Sequence, residues 1–198
     1  GQVCVTCDRF YVHESCYAAF VDGFAARASR LKVGYGLEPD TQMGPLIHPR
    51  RLEEMASIVE DARRKGGRVV TGGRRIECNG GYFFEPTVIA DLPDEARALA
   101  EENFGPIAAI TSFGDDDDLW ARVNNSGFAL SAYAFTRDPA RMRETVARFE
   151  SGMVGIHSYA LAAAEAPFGG IKASGMGREG GSEGLLDYMN VKLAQIVV

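Results

Sequence analysis

Short β-branched and aromatic runs alternate with amphipathic helical stretches along most of this chain, and that alternation constrains the fold more than any other feature. Residues 2–12 are rich in Val, Thr, Phe and Tyr and predict a strand. Ser15 is placed as the N-cap of a helix whose apolar positions Tyr17, Phe20, Val21, Phe24 and Ala28 recur at helical spacing. Glycine and proline make residues 34–49 a loop. A second helix over 50–65 carries Leu52, Met55, Ile58 and Val59 on one face and stops at Gly66-Gly67. Strands are predicted at 68–71, at 83–89 with Pro86 at an edge or bulge, and at 107–113. A helix over 116–124, a strand over 131–135, a helix over 139–149 and a strand over 153–156 continue the pattern. Strands that alternate with helices favour a sheet covered on both faces. The expected class is α/β: a layered domain with a largely parallel sheet flanked by helices.

The last part of the chain reads differently. Residues 167–184 hold many glycines, and 185–190 predict a short turn or helix. Residues 192–198 alternate weakly and end in Ile-Val-Val, which predicts a terminal strand in need of a partner sheet. Pairing across a subunit interface would supply one. The domain expectation is therefore a main unit over 1–186 and an oligomerisation segment over 187–198.

Charge narrows the partners. The net charge is -6, so a nucleic-acid partner is not expected, because phosphate binding needs a basic face. Apolar stretches are interrupted well before the roughly 20 residues of a membrane helix, so no membrane partner is expected either. Asp115 to Asp118 read as the charged N-terminus of a helix rather than a metal site. The four cysteines are irregularly spaced, which fits a reducing cytoplasm better than a disulfide framework. The chain opens without Met, inside a strand-like run, and is expected to continue upstream.

Cys4 lies in Gly1-Gln2-Val3-Cys4-Val5. A thiol nucleophile needs an approachable backbone and donors for the oxyanion that it creates. On this evidence alone Cys4 reads as an inert core thiol. Cys4 and Cys7 form a Cys-x-x-Cys pair, but in a strand they would face opposite sides, and no second ligand pair follows; no metal is expected. Glu102 by itself reads as a solvated acid, and Phe104 and Phe168 as packing residues.

Ordered motifs change that reading. Gly1-Gln2-Val3-Cys4 resembles the nucleophile motif of the aldehyde dehydrogenase superfamily. Met43-Gly44-Pro45-Leu46-Ile47, Tyr82 to Val88, Glu101-Glu102-Asn103-Phe104-Gly105-Pro106, and the glycine-rich segment from Pro167 to Gly180 resemble further segments of that family in the same order. The resemblance implies the catalytic, C-terminal part of an NAD- or NADP-dependent dehydrogenase. It makes Cys4 the nucleophile, with its backbone N–H in the oxyanion hole. It makes Glu102 the carboxylate on the nicotinamide ribose and Phe104 the aromatic beside the nicotinamide. Phe168 would stand at the substrate tunnel, and Leu161 and Ala162 in the loop that lines it. The cofactor-binding domain and the general-base Glu are expected upstream, and the whole enzyme as a homo-dimer or tetramer.

Two positions depart from the family pattern: His157 stands where Asn is usual, and Ala162 where carboxylate-binding members carry Ser. The segments Glu165 to Gly170 and Gly180 to Gly184 nevertheless look most like members acting on semialdehydes with a distal carboxylate, such as succinate semialdehyde. The chain by itself is expected to lack turnover. Two other readings stand beside this one: a folded, self-associating module without catalysis, and a thiol esterase without cofactor.

Overall fold

The computed structural model describes all 198 residues, which divide into two compact units, Gly1–Arg122 and Val123–Val198. The first unit holds β1 (Arg9–His13), α1 (Glu14–Ala28), α2 (Pro49–Arg64), β2 (Arg68–Thr71), β3 (Arg75–Ile76), β4 (Phe83–Phe84), β5 (Thr87–Ala90), α3 (Arg97–Ala100) and β6 (Ile107–Phe113). The chain passes to the second unit within α4 (Leu119–Asn124). That unit continues with β7 (Phe128–Ala129), β8 (Ser131–Ala134), α5 (Pro139–Arg148), β9 (Met153–Ile156), β10 (Ile171–Lys172) and α6 (Gly181–Leu186).

The main sheet has the order β1-β6-β5-β2. β6 runs parallel to both β1 and β5, while β2 is antiparallel to β5 at the edge. The α/β expectation is met, with helices on both faces of this sheet. Side-chain alternation explains how. Val88, Ala90 and Ile110 pack with Val21, Ala25 and Ala28 of α1. Ile89, Ile107 and Ala109 face the other way and pack with Met55, Ile58, Val59 and Ala62 of α2 and with Ala98 and Leu99 of α3. Every residue of β5 is buried. Each large apolar side chain placed so contributes about 1.5–3 kcal/mol.

Several local expectations are corrected. The strand predicted over residues 2–12 begins only at Arg9, because Val3 to Thr6 form a turn closed by Thr6 N–H donating to Val3 O at 2.9 Å. Cys4 and Cys7 therefore do not alternate along a strand. His13, not Ser15, caps α1: its Nδ1 accepts from the Ser15 N–H. Phe20, placed on the buried face, is 36% exposed and packs against Phe10 and Phe24. The run 83–89 breaks at Glu85-Pro86 into β4, which pairs with β3, and β5, which enters the main sheet. Pro86 has no N–H to donate to a ladder.

In the acidic run, Asp117 accepts from the Gly114 N–H and Asp118 from the Ala121 N–H, so the helix starts at Leu119 rather than 116. The helix predicted within 185–190 lies earlier, as α6.

In the second unit β8 and β9 are parallel, and β7 and β10 form an antiparallel pair. Asp138 caps α5 through the Ala140 N–H, with Pro139 in the first turn. Residues 192–198 carry no regular secondary structure within the chain. Val191, Leu193, Ile196, Val197 and Val198 are fully or largely exposed. No helix is long and apolar enough to cross a membrane.

Candidate active site

Cys4 occupies a central position of the turn from Val3 to Thr6 and is exposed. Four contacts hold the turn and its flanks in the first unit. The Gln2 side-chain oxygen accepts from the Ile47 N–H at 3.1 Å, which ties the turn to the Met43-Gly44-Pro45-Leu46-Ile47 segment. Gly1 lies against Gly105, so closely that a Cβ on Gly1 would fall 2.0 Å from the Gly105 carbonyl oxygen. Further along, the Asp8 carboxylate accepts from the Asn103 N–H at 3.1 Å, and the Asp8 carbonyl accepts from the Ala109 N–H of β6. Two sequence segments that bear expected site residues, 1–8 and 102–106, are thus joined by the Asp8 carboxylate and by the close approach of Gly1 to Gly105.

Glu102 is exposed and Asn103 is fully buried. Phe104 is half-buried, with φ at +47°. Left-handed backbone is unfavourable for an aromatic residue, so neighbours must hold it there. Asn103 helps by donating its side-chain amide to the Ala98 carbonyl at 3.0 Å. Gly105 packs on Met55, where a Cβ would meet the sulfur at 2.2 Å.

The two nearby thiols differ. Cys7 is pushed up to about 12, first by burial and then by the negative charge of Asp8, and its sulfur donates to the Arg9 carbonyl. It is a poor nucleophile near neutrality. Cys4 is the accessible thiol of the pair. No group of His, Cys, Asp and Glu is arranged to hold a metal ion.

Sequence reasoning did not single out Asp8. Its carboxyl is pushed up to about 6, chiefly by burial and further by the nearby Glu102, against the stabilising N–H groups of Asn103 and Phe104. The charged Asp8-Arg9 pair inside a strand-like run is the signal the sequence offers.

Phe168, Leu161 and Ala162 belong to the second unit. Phe168 exchanges two backbone hydrogen bonds with Glu179, both 2.7 Å, which closes the glycine-rich segment on itself. Gly180, at φ +69°, makes this closure possible; a Cβ there would stand 2.8 Å from the Ala166 carbonyl oxygen. Arg178 pins the same segment by donating to the Gly170 carbonyl at 2.8 Å. Leu161 packs over Gly155, and Ala162 is exposed. His157 bonds through Nε2 to the Thr136 carbonyl at 2.7 Å and stacks edge-on against Phe135, a structural engagement.

Known proteins share this arrangement of motifs. The family model described as "Aldehyde dehydrogenase family" matches residues 1–194. A glutarate-semialdehyde dehydrogenase of Pseudomonas putida is 42% identical over the whole chain, and a succinate-semialdehyde dehydrogenase [NADP(+)] of Escherichia coli is 41% identical over 97% of it. The chain covers only 41% and 40% of those two proteins. Among solved structures, the NAD+ complex of an aldehyde dehydrogenase from Bacillus cereus superposes with a TM-score of 0.92 at 36% identity. That match covers 97% of this chain and 39% of the Bacillus chain. With residues 1–194 inside the family model and the fold in agreement, this chain belongs to the aldehyde dehydrogenase family.

Proposed function

We propose that this chain is the nucleophile-bearing part of an NAD- or NADP-dependent aldehyde dehydrogenase whose substrate is a semialdehyde with a distal carboxylate. One observation carries the reading. The only exposed thiol in the turn region, Cys4, is tied through Gln2, Gly1 and Asp8 to the segments that bear Ile47, Glu102 and Phe104. The names of the similar semialdehyde dehydrogenases support the substrate class.

The residues present suit a nicotinamide nucleotide. Glu102 offers two acceptor oxygens at the surface, which fit the adjacent hydroxyls of a ribose, and Phe104 offers a flat apolar face two residues on. When bound, the dinucleotide supplies the hydride acceptor. The Cys4 sulfur, as thiolate, attacks the aldehyde carbon, and the carbonyl π electrons move to oxygen. The Cys4 backbone N–H stabilises that oxyanion. Loss of hydride from the same carbon leaves a thioester on Cys4. Attack of water on the thioester carbon then releases the acid and returns the thiolate. Phe168, Leu161 and Ala162 line the approach of the substrate. The water-activating Glu and the nucleotide-binding domain belong to a longer protein, so the chain alone adds the aldehyde at Cys4 only as far as the thiohemiacetal and does not turn over.

Residues 187–198 serve as the oligomerisation segment beside a catalytic unit over 1–186, and the assembled enzyme is a homo-dimer or tetramer. Four free thiols fit a reducing cytoplasm.

Steady-state formation of NADH or NADPH by the full-length protein tests this. Succinate or glutarate semialdehyde should be turned over, and Cys4→Ser should lower kcat by about a thousandfold or more. Equal kcat/KM for an uncharged aldehyde of similar length would refute the substrate class. Clear turnover by this chain alone would refute the division of labour.

A further inference from the structure

The left-handed backbone of Phe104 needs an external support, because nothing in its local sequence favours it. Glycine or asparagine would adopt this conformation readily; phenylalanine does not. The support lies far off in the chain. The Asp8 side chain receives the Asn103 N–H at 3.1 Å, and the Phe104 N–H also stabilises its anion. Successive amide groups around a left-handed residue form a concave donor site for an anion, and here the anion is the protein's own. Asp8 is itself fixed, since its carbonyl accepts from Ala109 in the middle of β6. The second carboxylate oxygen of Asp8 is buried without a partner, so the carboxylate has been withdrawn from water to serve this contact. The titratable side chains acting on it are those of Glu102 and the neighbouring Cys7.

We infer that Asp8 is a positioning residue for the cofactor contacts of Glu102 and Phe104: its carboxylate shapes the 102–104 segment from below while touching neither cofactor nor substrate. The inference rests on the proposed roles of Glu102 and Phe104. It assigns to the residue four places after Cys4 the task of linking the nucleophile turn to the nicotinamide-facing segment. Removing the acceptor leaves two amide groups without a partner and lets Phe104 leave its strained conformation.

Two measurements on the full-length enzyme decide it, with Asp8→Ala, Asp8→Ser and Asp8→Asn compared. The first is nucleotide affinity from quenching of NADH or NADPH fluorescence. The second is hydrogen exchange at amides 103 and 104. Asp8→Ala should weaken nucleotide binding about tenfold and speed exchange at both amides about tenfold or more. Asp8→Asn keeps an acceptor and should stay within about threefold of the parent in both. Asp8→Ser, whose shorter side chain draws its oxygen back out of reach of the two amides while staying polar, replaces the Ala variant if that one does not fold. Parent-like affinity together with parent-like exchange in the Ala or Ser variant overturns the inference. Faster exchange with unchanged affinity also overturns it, since the segment would then not matter to the cofactor. A parent enzyme that binds no dinucleotide overturns the underlying reading of Glu102 and Phe104 instead, and exchange at 103 and 104 still reports whether Asp8 supports the segment.

Discussion

The Asp8 carboxylate and the Asn103 backbone N–H meet at 3.1 Å across 95 positions of chain. This contact joins the turn that presents Cys4 to the segment that presents Glu102, and the burial of Asp8 gives it a dependence on pH.

Folded Asp8 keeps its proton to about pH 6, against 3.8 for the ordinary side chain. Between those values the folded chain holds a proton that the unfolded chain has released. Stability from this group is therefore full below pH 4 and falls as pH rises through 6, by at most roughly 3 kcal/mol. Asp8→Asn removes the ionisation. Thermal unfolding between pH 4 and 8 should show a flatter profile for that variant and a higher Tm than the parent at pH 8.

Alkylation should separate the two thiols of the first segment. Cys7, pushed up to about 12 and engaged with the Arg9 carbonyl, is almost wholly thiol at pH 8, whereas Cys4 is exposed. Iodoacetamide should label Cys4 at least about tenfold faster than Cys7, as read by mass spectrometry of peptides. Equal rates would contradict the half-buried, hydrogen-bonded placement of Cys7.

Gly105 stands where the 102–106 segment crosses the core. An Ala there would place its Cβ 2.2 Å from the sulfur of Met55, which is fully buried and cannot swing away freely. Gly105→Ala should cost about 1–3 kcal/mol in chemical denaturation. Combined with Met55→Ala, the loss should be smaller than the sum of the two single variants, because the same space is emptied and refilled.

Deletion of 190–198 should lower the mass of the assembled protein measured by light scattering. The exposed apolar residues Val191, Leu193, Ile196, Val197 and Val198 have no partner strand in their own chain. Unchanged mass would show that assembly uses another surface.

Local pattern made much of the frame legible. β2, β6 and β9 lie where β-branched runs predict them, and α2 and α5 lie within a residue of their predicted bounds. In α2 the predicted face of Met55, Ile58 and Val59 is the buried one. These elements are readable because burial of one face imposes a period on neighbouring residues. The order of motifs also carries the family, and the assignment of Cys4, Glu102, Phe104, Leu161, Ala162 and Phe168 rests on that same order.

Other features depend on residues far apart in sequence. Val3 to Thr6 have the composition of a strand, yet they turn, held by Ile47 and Gly105. The run 83–89 reads as one strand, yet it divides between two sheets at Glu85-Pro86. Phe104 takes a left-handed backbone against its own preference, with its neighbour held by an acid from the other end of the unit. Periodicity fixes what is repeated along the chain: strand, helix and the buried face of each. The tertiary structure alone decides these single contacts, because the groups that satisfy a turn, a buried carboxylate or a strained residue arrive from distant positions and leave no repeating mark beside it.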